Sequence, residues 1–205
     1  DAFDDYVHDL AQFHRQVAGR FEAVPMILLG HSMGGLIASL YLLHQQSDFV
    51  GAVLSGPAIK TDLEPGFLQM TLLRLFAFLT PRLRMLKLDA KGVSRDPGVV
   101  KNYVQDPLVF HGKMSARMLR ELFSGMQAIQ TGAAGITVPM LILHGGADSM
   151  TSPEGSRFLH EHIGSSDKSL KIYPGLYHEI FNEPERLEVL EFVLNWCESR
   201  LGETY

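Results

Sequence analysis

Six residues constrain this chain more than any others: Gly30-His31-Ser32-Met33-Gly34-Gly35 fits the Gly-x-Ser-x-Gly pattern. The pattern alone is weak, and its surroundings make it informative. Val24-Pro25-Met26-Ile27-Leu28-Leu29 precedes it, a short apolar run suited to a strand buried on both faces of a parallel sheet. Leu36 to His44, rich in Ala and Leu, follows as a helix. A strand that turns sharply into a helix strains its turn residue, so the flanking positions must be small, and Gly30, Gly34 and Gly35 meet that need. The turn has a chemical use. A serine hydroxyl is a weak nucleophile and must be presented to a base. The turn pushes the Ser32 oxygen out of the C-terminal edge of a sheet and sets it at a helix N-terminus, where free N–H groups favour a developing negative charge. The backbone N–H of Met33 is then a natural oxyanion donor. The plainer alternative is a Gly-rich turn with a capping serine.

A base and an acid belong at the same edge. Met140-Leu141-Ile142-Leu143 reads as a buried strand ended by Gly145-Gly146, and Asp148 follows it in the next loop. Leu170 to Tyr173 reads as another, stopped by Pro174-Gly175, and His178 comes just after. Active sites of open α/β sheets lie at the carboxyl ends of the strands. His178 would take the Ser32 proton and return it to the leaving alcohol, while Asp148 orients the ring and stabilises the imidazolium. Taken singly, Asp148 could be a turn former and His178 a surface histidine. Asp167 is the runner-up acid, but it precedes its strand and belongs at the opposite edge. His144 is still within the strand pattern and reads as structural.

The rest of the chain supplies the frame. Phe3, Tyr6, Leu10, Phe13 and Val17 recur at helical spacing, with Gly19 as a stop. Val50 to Ser55 is a second buried strand. Thr151-Ser152-Pro153-Glu154 opens a helix with a hydroxyl cap and an early Pro. Leu187, Leu190, Val193, Leu194 and Cys197 mark a last amphipathic helix. Strands alternating with helices imply parallel βαβ units. Residues 59–134 break that alternation. They show no clear strand, an apolar stretch from Leu72 to Leu79, a loop-like Arg95–Pro107, and a helix capped by Ser115. They read as an all-helical insertion between a core of residues 1–58 and 135–205. A chain of 205 residues is long enough for such a core. Its net charge of −5 gives no basic surface for nucleic acid, its one cysteine allows no internal disulfide, and no apolar run spans a bilayer.

These segments resemble the monoacylglycerol lipase and lysophospholipase family of α/β-hydrolases. The likeness rests on Gly30-His31-Ser32-Met33-Gly34-Gly35, on His144-Gly145-Gly146-Ala147-Asp148 with Ser152-Pro153-Glu154-Gly155-Ser156, and on Tyr173-Pro174-Gly175-Leu176-Tyr177-His178-Glu179 with Asn182-Glu183. Asp106-Pro107-Leu108 adds to it. The order Ser, Asp, His along the chain is that of the α/β-hydrolase triad. The resemblance implies an α/β-hydrolase fold with a helical cap over an acyl pocket, a triad of Ser32, Asp148 and His178, an oxyanion donor at Met33, and no metal or organic cofactor. Family members carry, ahead of this point, several more strands and a His-Gly motif that supplies a second oxyanion N–H. Nothing here matches that motif, so the N-terminal strands and the second donor are expected to be missing from this chain.

A single-chain lipid ester is the expected substrate. Leu68, Met70, Leu72, Leu73, Leu75, Phe76, Phe78 and Leu79 make the insertion apolar, and acyl pockets need such walls. Leu73 and Phe76, with His31 beside the nucleophile, are the candidate substrate contacts; packing of the insertion onto the core would use the same side chains. Arg74, Arg82, Arg84 and Lys87 interleave with the apolar run, a pattern that suits peripheral contact with an anionic membrane and equally a solvated face. A cytoplasmic or membrane-peripheral location is the expectation. Acyl transfer, hydrolysis of a non-lipid ester, and a non-catalytic binding module remain as alternatives, because one fold and triad serve many ends.

Overall fold

The apolar runs assemble as parallel strands whose carboxyl ends line up. The computed structural model describes residues 2–61 and 65–202. The main sheet contains β1 (Met26–His31), β2 (Phe49–Ser55), β5 (Met140–Gly145) and β6 (Lys168–Tyr173) in the order β1-β2-β5-β6, all parallel. The register pairs His31 with Ser55, Ser55 with Leu143 and Gly145 with Tyr173, so the loops that follow leave from one edge. Helices α1 (Asp4–Arg20), α2 (Met33–Leu42), α6 (Pro153–His162) and α7 (Arg186–Leu201) complete the core.

Side-chain alternation along the strands divides the core in two. Ala52, Leu54, Met140 and Ile142 face one way and pack with Leu36 and Leu42 of α2 and Leu159 of α6. Val53, Leu141 and Leu143 face the other way, against Val189, Val193 and Trp196 of α7. Cys197, a free thiol, packs beside this second cluster. Each fully buried Leu or Ile contributes about 1.5–3 kcal/mol. Strand β1 departs from the expectation of burial on both faces. Among the described residues it pairs with β2 alone, and Leu29 is 54 % exposed.

Between β2 and β5 lie α3 (Phe67–Leu79), β3 (Arg84–Leu86), α4 (Pro97–Gln105), β4 (Met114–Ser115) and α5 (Ala116–Gly132). The insertion is therefore not all helical. β3 and β4 pair antiparallel, and strands of three and two residues are too short to show a period of two in a sequence. Nor is Arg95–Pro107 a loop. The Asp96 side chain accepts from the Gly98 N–H and Pro97 occupies the first helical position, so α4 has a start signal its weak periodicity hides. Ser115 caps α5 as expected, accepting from the Met118 N–H. Ser152, in contrast, makes no side-chain cap at α6.

Candidate active site

Steric need makes the turn at Ser32. Its φ of +54° is one that a residue with a side chain rarely adopts, at a cost of about 1–3 kcal/mol. The neighbours hold it there: the Ser32 N–H donates to the Ser55 carbonyl at 3.0 Å, and the Ser32 carbonyl accepts from Ala58 N–H at 3.0 Å. A Cβ at Gly30 would lie 2.6 Å from the Gly34 carbonyl oxygen, and one at Gly35 would lie 2.8 Å from Pro57 Cβ. A Cβ at Gly34 would meet nothing within 4 Å, so the demand for small residues falls on Gly30 and Gly35 and not on Gly34.

Asp148 and His178 reach Ser32 from the ends of β5 and β6. His178 Nε2 lies 2.8 Å from Ser32 Oγ and its Nδ1 lies 2.7 Å from Asp148 Oδ2. A carboxylate only accepts, so Nδ1 carries the proton and Nε2 is free to accept from the serine hydroxyl. Asp148 Oδ1 accepts from the Met150 and Thr151 N–H groups at 2.7 and 3.1 Å, and Oδ2 accepts from Thr151 Oγ1 at 2.9 Å. Burial alone would raise the Asp148 carboxyl. Hydrogen bonds from His144, His178 and the Thr151 backbone outweigh it and hold the group well below the usual carboxylate range. The end of β5 and the loop bearing His178 approach closely here, since a Cβ at Gly145 would lie 2.0 Å from the Tyr177 carbonyl oxygen.

The loop that carries His178 is fastened from the insertion. His178 N–H donates to the Gly92 carbonyl at 3.3 Å and Glu179 N–H to the Val93 carbonyl at 2.8 Å. Glu183, fully buried, accepts from the Tyr177 N–H at 2.8 Å and from the Arg95 N–H and Nε at 3.2 and 3.0 Å. Arg95 also pairs with Glu185. The sequence reading missed this strap, took Thr151 only as part of a helix start, and gave Ser156 no part in the site. Glu183 entered it only through a family resemblance, because a buried ion pair across 88 residues has no local signature.

A cavity of about 310 Å³ opens on Ser32. Its walls include Met33, Leu88, Leu119, Leu122, Met126 and Met150. Three larger hollows, about 670 Å³ beside α1, about 420 Å³ between Leu88 and Tyr103 and about 340 Å³ at Gln12, Arg15 and Gln16, do not reach Ser32. Leu73 and Phe76 are a correction to the expected wall. Leu73 packs with Ala116 and Leu119 between α3 and α5, and Phe76 is 41 % exposed. α3 uses its inner stripe to hold α5, and α5 with the Leu86–Asp89 segment faces the cavity. His31 is not in the wall either. Its ring lies 4.7 Å from that of His178, and its Nδ1 lies 3.0 Å from the Ser55 carbonyl. Burial, and next the adjacent His178, push its pKa down to about 4. Asp167 stands at the opposite edge, paired with Arg200 at 2.6 Å. Among the described residues no three His, Cys, Asp or Glu side chains cluster as metal ligands.

This arrangement can deprotonate a hydroxyl, hold the resulting imidazolium against a carboxylate and receive an apolar group beside the nucleophile. Comparison with known proteins points the same way. The family model described as serine aminopeptidase, S33, matches residues 1–185. The monoacylglycerol lipase of Mycolicibacterium smegmatis is 39 % identical over 197 residues, covering 96 % of this chain and 70 % of that protein. The monoglyceride lipase of Rattus norvegicus is 32 % identical over 203 residues, covering 98 % of this chain and 67 % of that protein. The crystal structure of a monoacylglycerol lipase from Paleococcus ferrophilus superposes with a TM-score of 0.85 at 30 % identity, over 98 % of this chain and 76 % of that one. The chain belongs to the serine aminopeptidase S33 family of α/β-hydrolases.

Proposed function

We propose that the protein is a serine hydrolase that cleaves single-chain lipid esters, monoacylglycerols foremost, through an acyl-enzyme on Ser32. The observation that carries this reading is the position of His178, hydrogen-bonded to both Ser32 and Asp148 at the mouth of an apolar cavity. Ser32 Oγ attacks the ester carbonyl as its proton passes to His178 Nε2. The oxyanion is met by the Met33 N–H, since Met33 opens α2 and first-turn N–H groups have no partner within a helix. His178 then protonates the departing glycerol oxygen. Water enters and adds to the acyl carbon as its proton passes to His178, and His178 returns that proton to Ser32 Oγ as the acyl–oxygen bond breaks and the fatty acid leaves. Asp148 stays ionised throughout and stabilises the imidazolium. An apolar wall favours an acyl chain over a polar acid group, and the monoacylglycerol lipases among the relatives favour glycerol as the leaving alcohol.

The outer face of α3 supports contact with the membrane that holds such lipids. Phe67, Leu68, Phe78 and Leu79 are 88, 69, 80 and 63 % exposed, with Arg74 on the same helix. Apolar groups in solvent beside cations suit an anionic interface. Among the described residues no helix is long and apolar enough to cross a membrane. The deciding experiment is a series of glycerol, choline and simple alcohol esters of rising acyl length, together with labelling by a fluorophosphonate probe. Preference for long-chain glycerol esters and labelling at Ser32 are expected. Failure of Ser32 to label overturns the mechanism, and a flat response to acyl length overturns the lipid substrate.

A further inference from the structure

His144 is the penultimate residue of β5 and is fully buried, yet the reaction just described does not use it. An imidazole is a costly filler for a closed interior, because each ring nitrogen needs a partner. Both have one. Nδ1 lies 2.7 Å from Ser156 Oγ on α6. Nε2 lies 3.2 Å from the Thr151 carbonyl and 3.1 Å from Asp148 Oδ2. Thr151 Oγ1 is the third group near Nε2, at 3.3 Å, and its hydrogen goes to Asp148 Oδ2; the other two only accept, so Nε2 carries the hydrogen and Nδ1 accepts from the Ser156 hydroxyl. Ser156 is itself fully buried in the first turns of α6. That turn has no slack, since a Cβ at the adjoining Gly155 would lie 2.7 Å from the Lys60 nitrogen.

We propose that His144 is a positioning residue for this site: its Nε2–H, set by Ser156, fixes the Asp148 carboxylate in the orientation and the ionised form that His178 requires. Ser156, His144, Asp148, His178 and Ser32 then make one buried chain of hydrogen bonds running from α6 through the ends of β5 and β6 to the nucleophile. The role rests on the reading of Ser32, Asp148 and His178 as the reacting groups. When His178 gains the serine proton, Asp148 Oδ2 must attract the imidazolium without taking its Nδ1 proton. A third donor on the same oxygen, beside His178 Nδ1–H and the Thr151 hydroxyl, spreads the carboxylate's charge further and makes that oxygen a poorer base. It also occupies a lone pair that would otherwise let the carboxylate swing. Among the described residues, the titratable groups that face the Asp148–His178 pair are His144 and His31, and His31 stays neutral in the buried position already described.

The test is pH-dependent hydrolysis of a p-nitrophenyl ester by the purified protein and its variants, with melting temperatures measured alongside. His144→Leu keeps the bulk and removes the donor. It should lower kcat about 10- to 100-fold, as loss of a partner behind an active-site ligand does elsewhere, with little change in KM. It should also move the acidic limb of kcat/KM to higher pH, because the Asp148 carboxylate then bears its charge on fewer donors and is a stronger partner for an imidazolium. His144→Gln places an amide N–H near the same point and should recover most of the loss. Ser156→Ala removes only the hydroxyl that sets His144, and should give a smaller fall in kcat with the same direction of shift; it carries the test if His144→Leu does not fold. An acidic limb that stays in place or moves down, or a Gln variant as impaired as the Leu variant, overturns the role of His144. Fluorophosphonate labelling of Ser32 in the wild type separates the two ideas. Labelling with unaffected His144 variants defeats this proposal alone, and absence of labelling defeats the underlying mechanism.

Discussion

Asp148 sits behind the sheet edge with both carboxylate oxygens engaged, whereas Phe67 and Phe78 on α3 stand in solvent at 88 and 80 % exposure. Both regions lie within one chain, but different forces shape them. The Asp148 region is polar and closed, so its geometry is over-determined by hydrogen bonds that would be expensive to leave unmade. The insertion is apolar and open. Its helices are joined by the small cluster of Leu73, Ala116 and Leu119, and non-directional contacts of that kind tolerate exchange of one side chain for another. Under the proposed function, the contrast would place chemistry at the sheet edge and selection of substrate in the insertion.

The largest expected effect tests the first half of that division. Ser32→Ala should lower kcat about 10⁶-fold, since a nucleophile knockout costs nearly as much as losing the whole triad; ester hydrolysis followed to several half-lives measures it, and residual turnover near a tenth of wild type breaks the division. The second half is sharpened by Leu88→Asp. Leu88 lines the cavity and is 45 % exposed, so the chain should tolerate the change. A carboxylate in the wall should lower kcat/KM for a long-chain ester about 10- to 100-fold and leave an acetate ester nearly unaffected. Equal losses on both esters would show that Leu88 only supports the insertion.

Two smaller effects probe how the regions are joined. Glu183→Ala strands the Tyr177 N–H and part of Arg95, and should cost about 2 kcal/mol, read as a lower melting temperature together with a lower kcat because the His178 loop slackens. A variant with full stability and full turnover would mean that the strap is incidental. His31 gives the smallest effect, a matter of pH. Its pKa falls from 6.5 to about 4 on folding, so the unfolded chain binds the extra proton between those values. The stability that neutral His31 supplies is whole above about pH 6.5 and is lost as pH falls toward 4, amounting to about 2 kcal/mol at pH 5. His31→Gln should therefore lose fewer degrees of melting temperature than the wild type between pH 8 and pH 5, by about 4–8 °C; identical losses would show that His31 does not titrate with folding.

The sheet was legible because β1, β2 and β5 are apolar runs of six or seven residues ended by glycine, and β6, which mixes Lys and Ser with Leu, Ile and Tyr, is stopped by Pro174-Gly175, signals local to each strand. Ser32, Asp148 and His178 were legible because each follows such a run. The insertion was not. β3 and β4 are too short for any period, and α4 carries its start signal in Asp96-Pro97 ahead of a helix with no buried residue. Leu73 and Phe76 misled because an apolar helix face does not say which neighbour it will meet. His144 was read as structural, and only its buried contacts with Ser156 and Asp148 give it a further part. Those partners lie 12 and 4 residues away, at distances set by how α6 packs and how the loop turns.

The strap from Gly92 to Arg95 has a consequence for anyone who would graft a new specificity onto this scaffold. A natural plan would cut at residues 59 and 134 and replace everything between. That cut removes the carbonyls of Gly92 and Val93 and the guanidinium of Arg95, which grip the loop bearing His178. A transplanted insertion would arrive with the right greasy walls and a loosened base. The workable seam runs inside the segment, leaving 92–95 with the recipient and exchanging α3, α4 and α5 around it. Chimaeras built on that seam should keep short-chain esterase activity, and those built on the outer one should lose it.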